Sequence, residues 1–184
     1  TKIDLSSTRT TSKWAGYFGS VTATLRIGIG SDVLYNFGSA ANAQIKSVFA
    51  SQNQSFNFAN TVAATVANLD SVFDFVTTDV DSATSVFTGT QLISGISAVP
   101  SQGLVAYTPG NGTSGNSTLS SQIYNTTLLK DETTPSSEGD FAFGVPVVPN
   151  QRDFRNGSEI DYELLTAVSS STALETYYFF LDVE

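Results

Sequence analysis

Apolar and polar side chains alternate along much of the chain, which is the pattern of a β-strand with one buried face. Five apolar residues from Val21 to Ile29 alternate with Thr, Arg and Gly. Gly, Ser and Asp at 30–32 predict a turn, and the sequence VLYNFG that follows predicts the partner strand of a hairpin. Residues 43–50 predict another short strand.

Six further apolar runs follow residue 90, and residues typical of turns separate them. These runs are QLISGISAV, GLVAYT, SQIYNTTLLK, FAFGVPVV, IDYELLTAV and ETYYFFLDVE. Short strands at this spacing predict an all-β sandwich of the immunoglobulin-like or jelly-roll type. The last run has large apolar or aromatic side chains on both faces at residues 177–181, which predicts a strand covered on both sides. A central place in a sheet, or contact with another subunit, would cover it in that way.

Residues 61–76 are the one segment with a helical period, because apolar residues recur in it at steps of three and four. The pattern predicts a short helix that is capped by Asn60 or Thr61. Asp70 and Asp74 are expected on the outer face of this helix. The sequence TTDVDSATSVFTG that follows predicts a loop leading into a strand.

The chain divides into a tail and a single domain. Residues 1–13 are polar and rich in Thr and Ser, and Ile3 and Leu5 are the apolar side chains of any size in them. Residues 14–184 contain no fixed-period repeat, and their length suits one β-sandwich domain of about 100–200 residues. The tail is expected to pack either on its own domain or on a neighbouring copy.

The amino-acid composition narrows the possible functions. The chain has 184 residues with 25 Ser and 23 Thr, so about a quarter of them carry a small hydroxyl group. It has no Cys, Met or His. A Ser-His-Asp triad, a thiolate nucleophile and a Cys-based zinc site are therefore excluded. We expect no enzyme activity.

The charge of the chain bears on its partners and its location. The net charge is −9, and an anionic surface repels both phosphate backbones and anionic lipids. No run approaches the roughly 20 apolar residues of a membrane-spanning helix. We therefore expect no nucleic-acid partner and no membrane span. The chain begins at Thr1 and contains no Met, which favours removal of a leader during export.

Candidate modification and metal sites lie in the polar segments. Asp79 and Asp81 in Thr-Asp-Val-Asp-Ser can share a hard cation such as Ca²⁺, although a solvated acidic loop is the simpler interpretation. No other cofactor is required. Five Asn-x-Ser/Thr sequons predict N-linked glycans, at Asn53, Asn111, Asn116, Asn125 and Asn156.

Two other kinds of site remain open. The carboxylate pairs Asp161 with Glu163 and Asp182 with Glu184 leave a carboxylate-based hydrolase as a hypothesis. Aromatic residues around Trp14 and in 177–180 can form either a sugar-binding platform or part of the core, and strand aromatics are more often core.

Several short motifs point to a known group. WAGYFGSV at 14–21 and VLYNF at 33–37 are followed by LDSVFDF, DSATSVFT, YNTTLLKD, DYELL and TYYFFL. Together they resemble secreted archaeal cell-surface proteins, which open with a W-x-G-x-x-G-x-V motif. The resemblance implies an exported, β-rich surface protein that is often N-glycosylated, and it carries over no catalytic residue.

Archaeal surfaces also bear filaments built from β-sandwich subunits, in which a terminal strand of one subunit completes the sheet of the next. Residues 1–13 are the expected donor strand here, with Ile3 and Leu5 filling pockets. Head-to-tail repetition of such a contact gives an open homopolymer. The expected function is a structural subunit of an extracellular cell-surface filament. The alternative is a secreted adhesion module that binds carbohydrate or Ca²⁺.

Overall fold

The chain is built mainly from antiparallel β-strands, as the alternating pattern predicts. A computed structural model describes residues 2–3, 5–9, 13–29, 32–40, 45–87, 89–91, 103–108, 124–149, 151–152, 159–169 and 175–183. Two short α-helices interrupt the strands. No helix in these residues is long and apolar enough to cross a membrane. The prediction of a β-rich chain is confirmed.

Fifteen strands lie in the described residues. They are β1 (Lys2–Ile3), β2 (Ser6–Arg9), β3 (Trp14–Gly19), β4 (Val21–Ile29), β5 (Asp32–Ala40), β6 (Ile45–Ser51), β7 (Val62–Ala63), β8 (Gly89–Gln91), β9 (Gly103–Thr108), β10 (Tyr124–Lys130), β11 (Phe141–Pro146), β12 (Gln151–Arg152), β13 (Glu159–Ile160), β14 (Tyr162–Ala167) and β15 (Tyr178–Val183). The helices are α1 (Val66–Val72) and α2 (Ala83–Val86), and 3-10 turns span Phe58–Asn60 and Glu138–Asp140.

The largest sheet has seven strands. Six of them follow the order β15-β6-β11-β10-β9-β8, and the seventh, β7, pairs with β10. A second sheet has the order β14-β3-β2, and a third has the order β1-β4-β5. Strands β12 and β13 pair with each other. Strand β14 of the second sheet contacts β10 and β11 of the largest sheet.

The predicted hairpin is present as β4 and β5, in which Ile29 lies opposite Asp32. The runs GLVAYT, FAFGVPVV and ETYYFFLDVE each contain a strand, namely β9, β11 and β15. Strand β8 ends at Gln91, and the rest of the run QLISGISAV lies outside the described residues. The local period of two therefore located most of the strands.

The main core contains side chains from both the second sheet and the largest sheet. Phe141, Phe143 and Leu128 enter it from the largest sheet, and Trp14 and Tyr162 enter it from β3 and β14. All five side chains are at most 1% exposed. Burial of a large apolar side chain contributes about 1.5–3 kcal/mol, so these residues supply much of the driving force for folding.

A second apolar cluster covers the opposite face of the largest sheet. Phe49 and Phe180 lie beside each other on β6 and β15. Phe58, from the segment after β6, lies with its ring centroid 5.3 Å from that of Phe49 and 5.1 Å from that of Phe180. Phe56 stacks edge-on against Phe58 at 4.9 Å. The segment at 52–60 thus closes this face.

Strand β15 has a paired neighbour on one side only among the described residues, namely β6. Both of its faces nevertheless contact other parts of the same chain. Phe180 contacts Phe58 on one face, and Phe179 contacts Tyr17 on the other at a ring distance of 5.2 Å. The cover is partial, because Tyr178 is 37% exposed and the side chains at 179–182 are half-buried. Within the described residues, the strand is not central in its sheet.

The helix is shorter than predicted, and its cap is a different residue. Helix α1 begins after Thr65, whose Oγ1 accepts a hydrogen bond from Asn68 N at 3.2 Å. Val62 and Ala63 belong to β7 and pair with β10, because strand pairing satisfies their backbone groups there. Helix α2 lies in a segment that was predicted to be a loop. The expected single helix is therefore two short ones.

The N-terminal tail forms strands with its own domain. In β1, Ile3 lies opposite Val21 of β4. Strand β2 pairs with β3 from Ser6 to Arg9. Ile3 is partly buried against the main core, whereas Leu5 is 46% exposed. Of the two expectations for the tail, packing on its own domain is the one present within a single chain.

Candidate functional site

The two carboxylates of the predicted cation site converge on a lysine. Lys13 Nζ lies 2.5 Å from Asp79 Oδ2 and 3.2 Å from Asp81 Oδ1. The Lys13 side chain is 14% exposed, against 46% for Asp79 and 21% for Asp81. We call these three residues the Lys13 cluster. The spacing of the two acids was visible in the sequence, but the cation comes from a residue 66 positions away.

Aromatic rings lie on one side of the Lys13 cluster. Lys13 Nζ is 5.3 Å from the centre of the Phe75 ring. The Trp14 ring lies 5.6 Å from Phe75 and 5.6 Å from Phe87. Trp14 Nε1 donates a hydrogen bond to the Asp81 carbonyl oxygen at 2.6 Å. The rings cover one side of the cluster, but Asp79 is 46% exposed, so solvent still screens part of the attraction between the charges.

The loop between α1 and α2 is held at both ends. Asp74 follows α1 with a φ of 55°, in the left-handed region, and Phe75 N donates to Asp70 O at 2.9 Å. Ser82 caps α2, since its Oγ accepts from Ser85 N at 3.3 Å. These contacts hold the loop in which Asp79 and Asp81 lie beside Lys13, the residue that precedes β3.

Asp70 has a structural role that its position in the helix did not predict. The side chain is buried, at 5% exposed, and its Oδ1 accepts a hydrogen bond from Ala83 N at 3.1 Å. The prediction that Asp70 faces outward was therefore wrong. The reason is that α2, which was not expected, packs beside α1 and offers an unpaired N–H group.

The charge state of the cluster follows from its contacts. The hydrogen bond to Asp79 raises the pKa of Lys13, burial of the side chain opposes this, and Asp81 adds to the increase. The amine is therefore held protonated at neutral pH. The main chain also anchors this residue, because Val168 N donates to Lys13 O at 2.7 Å.

The predicted Ca²⁺ site has the Lys13 ammonium between its two carboxylates. Calcium takes six to eight oxygen ligands, as a general rule. In the part of the chain that is described, no three His, Cys, Asp or Glu side chains come together in a group that could hold a metal ion. Binding of Ca²⁺ by Asp79 and Asp81 stays a prediction, and it requires that the ion displace the ammonium.

Asn53 lies in a surface turn after β6. Its Oδ1 accepts a hydrogen bond from Ser55 N at 2.8 Å, which is an Asx turn within the sequon itself. Gln54 and Ser55 are exposed. A glycan attached to Asn53 would therefore start from an accessible turn.

Asn125 lies in a very different setting. It belongs to β10 and pairs with Tyr107 of β9. The hydroxyl-bearing residue of its sequon, Thr127, is 7% exposed, and Thr126 Oγ1 accepts from Leu165 N at 2.9 Å. The two threonines of this sequon are therefore buried in the folded chain. The sequons at Asn111, Asn116 and Asn156 lie outside the described residues.

The carboxylate pair Asp161 and Glu163 is buried, at 6% and 3% exposed. Asp161 Oδ2 accepts a hydrogen bond from Val21 N at 2.9 Å. Its own N–H donates to Gly19 O at 2.8 Å. Asp161 thus ties the start of β14 to the junction of β3 and β4. Asp182 lies in β15, and Glu184 is outside the described residues.

A polar cluster that the sequence did not predict joins β14 to the segment before β15. Tyr177 Oη donates to Ala167 O at 2.6 Å. Gln52 Nε2 donates to Tyr177 Oη at 3.3 Å and to Glu175 Oε2 at 3.4 Å. Burial raises the pKa of Tyr177 far above its usual value. The tyrosine therefore stays neutral and serves as a link between two strands.

Asp140 closes the turn before β11. Its Oδ2 accepts from Ser136 N at 2.8 Å and from Ser137 N at 2.9 Å, and its Oδ1 accepts from Ser137 Oγ at 2.8 Å. Burial tends to raise the pKa of Asp140, but these three hydrogen bonds outweigh it and leave the pKa below its usual value. The carboxylate form is the one that stabilises the turn.

Comparison with known proteins gives no match for this chain. No protein-family model, no curated protein and no solved structure matches it.

Proposed function

We propose that the chain is a structural subunit of an extracellular cell-surface filament, in which the N-terminal strand of one copy pairs with a sheet of the next. The supporting observation is the position of β2, which pairs with β3 at the end of the sheet β14-β3-β2. A terminal strand in that position can leave the sheet without separating β3 from β14. It is therefore suited to exchange between copies.

The exchange has a simple physical basis. The hydrogen bonds between β2 and β3 are the same whether the two strands belong to one chain or to two copies. Arg9 and Trp14 are separated by only four residues, and a short connection favours exchange of a terminal segment. Repeated head to tail, the contact gives an open polymer. Ile3 and Leu5 are the apolar side chains that would move with the strand.

The proposal takes residues 14–184 as one β-sandwich. Support comes from the contact of β14 with β10 and β11, and from a core cluster with members on both sheets. The immunoglobulin-like or jelly-roll type remains part of the proposal. In such a fold, strand addition occurs at the end strand of a sheet, and β2 is an end strand among the described residues.

The extracellular location is supported by composition and by the sequons. A chain without Cys, and with about a quarter of its residues Ser or Thr, has few oxidisable groups. The exposed Asx turn at Asn53 suits an N-linked glycan. The resemblance to secreted archaeal surface proteins supports the same location.

The proposed role is structural and includes no catalysis. The carboxylates of Asp70, Asp140 and Asp161 each accept hydrogen bonds from main-chain N–H groups. Such groups hold turns and strand junctions in place, which supports a structural assignment of these acids.

Strand exchange is tested by mixing two cysteine variants, since the native chain has no Cys. Arg9 and Ala15 are register partners in β2 and β3. One population carries Arg9→Cys and the other carries Ala15→Cys. If β2 passes between copies, assembly of the mixture followed by oxidation gives a disulfide-linked dimer on a denaturing gel.

The matched control mixes Ser6→Cys with Ala15→Cys. Ser6 pairs with Phe18, so this pair is out of register and should give no dimer. Negative-stain electron microscopy of the same samples shows whether fibres form. Fibres in which the Arg9 and Ala15 variants do not cross-link would refute strand exchange by β2, and discrete particles under all assembly conditions would refute the filament.

One observation favours a second candidate, a secreted adhesion module that binds carbohydrate or Ca²⁺. The carboxylates of Asp79 and Asp81 converge on a single cation position, which the Lys13 ammonium now holds. Calorimetric titration of the monomer with CaCl₂ tests this candidate. A saturable heat that is lost in Asp79→Asn would support it, and the absence of heat would count against Ca²⁺ as the ligand.

A further inference from the structure

The Lys13 cluster contains the groups needed for a covalent bond. An amine and a carboxyl group are in contact at 2.5 Å, and a second carboxylate lies 3.2 Å from the same nitrogen. The carboxyl carbon of Asp79 is one bond beyond its oxygen, so the amine is close to the near-attack separation of about 3–3.5 Å. We propose that Lys13 and Asp79 form an intramolecular amide cross-link, with Asp81 carrying the proton.

The reaction begins from the ammonium and two carboxylates. Asp81 takes a proton from Lys13 Nζ and passes it to a carboxyl oxygen of Asp79, which leaves a neutral amine beside a neutral acid. The nitrogen lone pair then forms a bond to Asp79 Cγ, and the electron pair of the C=O bond moves to oxygen. This gives a tetrahedral centre that bears the amine, a hydroxyl group and an oxyanion.

The second half of the reaction expels water. Asp81 removes a proton from the new C–N nitrogen and delivers it to the Asp79 hydroxyl group, which leaves as water when the carbonyl re-forms. The net change joins one ammonium and one carboxylate into one amide and one water molecule. Asp81 ends as the carboxylate with which it began. No oxidant, reductant or other co-reactant is needed.

The surroundings of the cluster favour this condensation. Groups held in contact react as if at effective concentrations of about 10⁵–10⁸ M, which opposes hydrolysis by bulk water. The Lys13 side chain is 14% exposed and lies over the Phe75 ring, so the amine is held against the two carboxylates on a partly covered surface. The amide replaces the ion pair at the same place. The hydrogen bond from Trp14 to the Asp81 carbonyl holds the loop in place while the bond forms.

The cross-link would join the start of β3 to the loop between α1 and α2. It closes a segment between positions 66 residues apart, in a chain that has no Cys and therefore no disulfide. Force applied to the N-terminal strand would then pass into the body of the domain through a covalent bond. The inference goes beyond the filament proposal and does not depend on it, since the bond forms within one chain.

The experiment is the intact mass of the folded full chain, made in a host that does not N-glycosylate. The expected mass is that of the sequence less one water molecule. Trypsin does not cleave after an acylated lysine, so residues 10–26 are expected to remain in one piece and to be joined to 47–130 in a branched product. Tandem mass spectrometry of that product locates the bond at Lys13 and Asp79.

Two variants test the roles of the groups. Lys13→Arg keeps a cation between the acids but has no amine that can form the amide, so its mass should be that of its full sequence. Asp81→Asn keeps the contact between Lys13 and Asp79 but removes the proton carrier. Proton transfer by a positioned group contributes about 10²–10⁴-fold, so cross-linking in Asp81→Asn should be slower by that factor after refolding.

Three results would overturn the inference. A folded wild-type chain at its full sequence mass means that the cluster is only an ion pair. A loss of water that persists in Lys13→Arg means that the bond lies elsewhere. Cross-linking of Asp81→Asn at the wild-type rate means that Asp81 does not carry the proton. Fluorescence of Trp14 confirms that each variant is folded, and none of these masses depends on whether fibres form.

Discussion

Gly144 of β11 lies under the Phe49 ring in the second apolar cluster. A Cβ atom added at Gly144 would lie 2.5 Å from Cε1 and 2.6 Å from Cδ1 of Phe49. Carbon atoms in contact normally lie about 3.5–4.0 Å apart, so the ring would have to move by about 1 Å. Phe49 is 2% exposed and its ring contacts Phe58, which leaves it little room. We predict that Gly144→Ala destabilises the fold.

The expected magnitude follows from two opposing terms. Overpacking of a filled core costs about 1–3 kcal/mol. Replacing Gly by Ala where the backbone permits it returns about 0.4–1 kcal/mol, because the unfolded chain has less freedom. The net loss for Gly144→Ala is therefore roughly 1–2 kcal/mol, or a few degrees in Tm for a domain of this size.

The assay is equilibrium unfolding in urea, followed by the fluorescence of Trp14. The chain contains one Trp, and it is 1% exposed in the main core, so its emission reports loss of the native core. Gly139→Ala is the matched control. A Cβ at Gly139 would meet Asn53 Cβ at 3.2 Å, which is a much milder contact, and this variant should lose less than half as much stability.

A double-mutant cycle identifies the cause of the loss. In the background of Phe49→Ala the ring is absent, so Gly144→Ala should become neutral or slightly stabilising. Phe49→Ala alone is expected to cost about 3–5 kcal/mol. If Gly144→Ala is as stable as the wild type, or costs the same with and without the Phe49 ring, then the packing argument for this cluster is wrong.

Three further predictions concern polar residues. Asp70→Ala leaves a buried N–H group of α2 unpaired, which should lower the free energy of unfolding in urea by about 1–3 kcal/mol. The control Thr77→Ala, in the exposed loop, should change it by less than about 0.5 kcal/mol. Because the pKa of Asp140 is lower in the folded chain, its contribution to stability is present above the unfolded pKa and is lost as pH falls through the folded one. Unfolding curves between neutral and acidic pH should show less loss for Asp140→Asn than for the wild type, and equal losses would contradict this. In a glycosylating host, Asn53→Gln should lower the intact mass by one glycan while Asn125→Gln leaves it unchanged, and the reverse result would show that accessibility in the folded chain does not select the site.

The strand predictions that rest on neighbouring residues in the chain agree with the structure. The hairpin of β4 and β5, and the strands β9, β10 and β11, follow from alternation of side chains between two faces, which is a local property. These local patterns therefore predict a β-rich chain without knowledge of the fold. The sequons, the absence of Cys and His, and the acidic pair of Asp79 and Asp81 are likewise properties of the sequence.

Tertiary structure decided what those elements and residues contact. The apolar period at 61–76 was compatible with one long helix, but pairing of β7 with β10 and the cap at Thr65 shortened it to α1. Asp70 turned inward because α2 offered an unpaired N–H group. Contacts of this kind depend on which segments meet in space, and no local pattern encodes that.

The Lys13 cluster shows the same division most clearly. The acids at 79 and 81 were compatible with a cation site or a solvated acidic loop, and the lysine at 13 was part of a polar tail. The pairing of β3 with β14, and the hydrogen bond from Trp14 to Asp81, bring them together across 66 positions. Phe75 covers one side of the amine, so the ammonium is held in contact with both carboxylates. The residue types could be known from the sequence, but the contact between the amine and the two carboxylates depends on the fold.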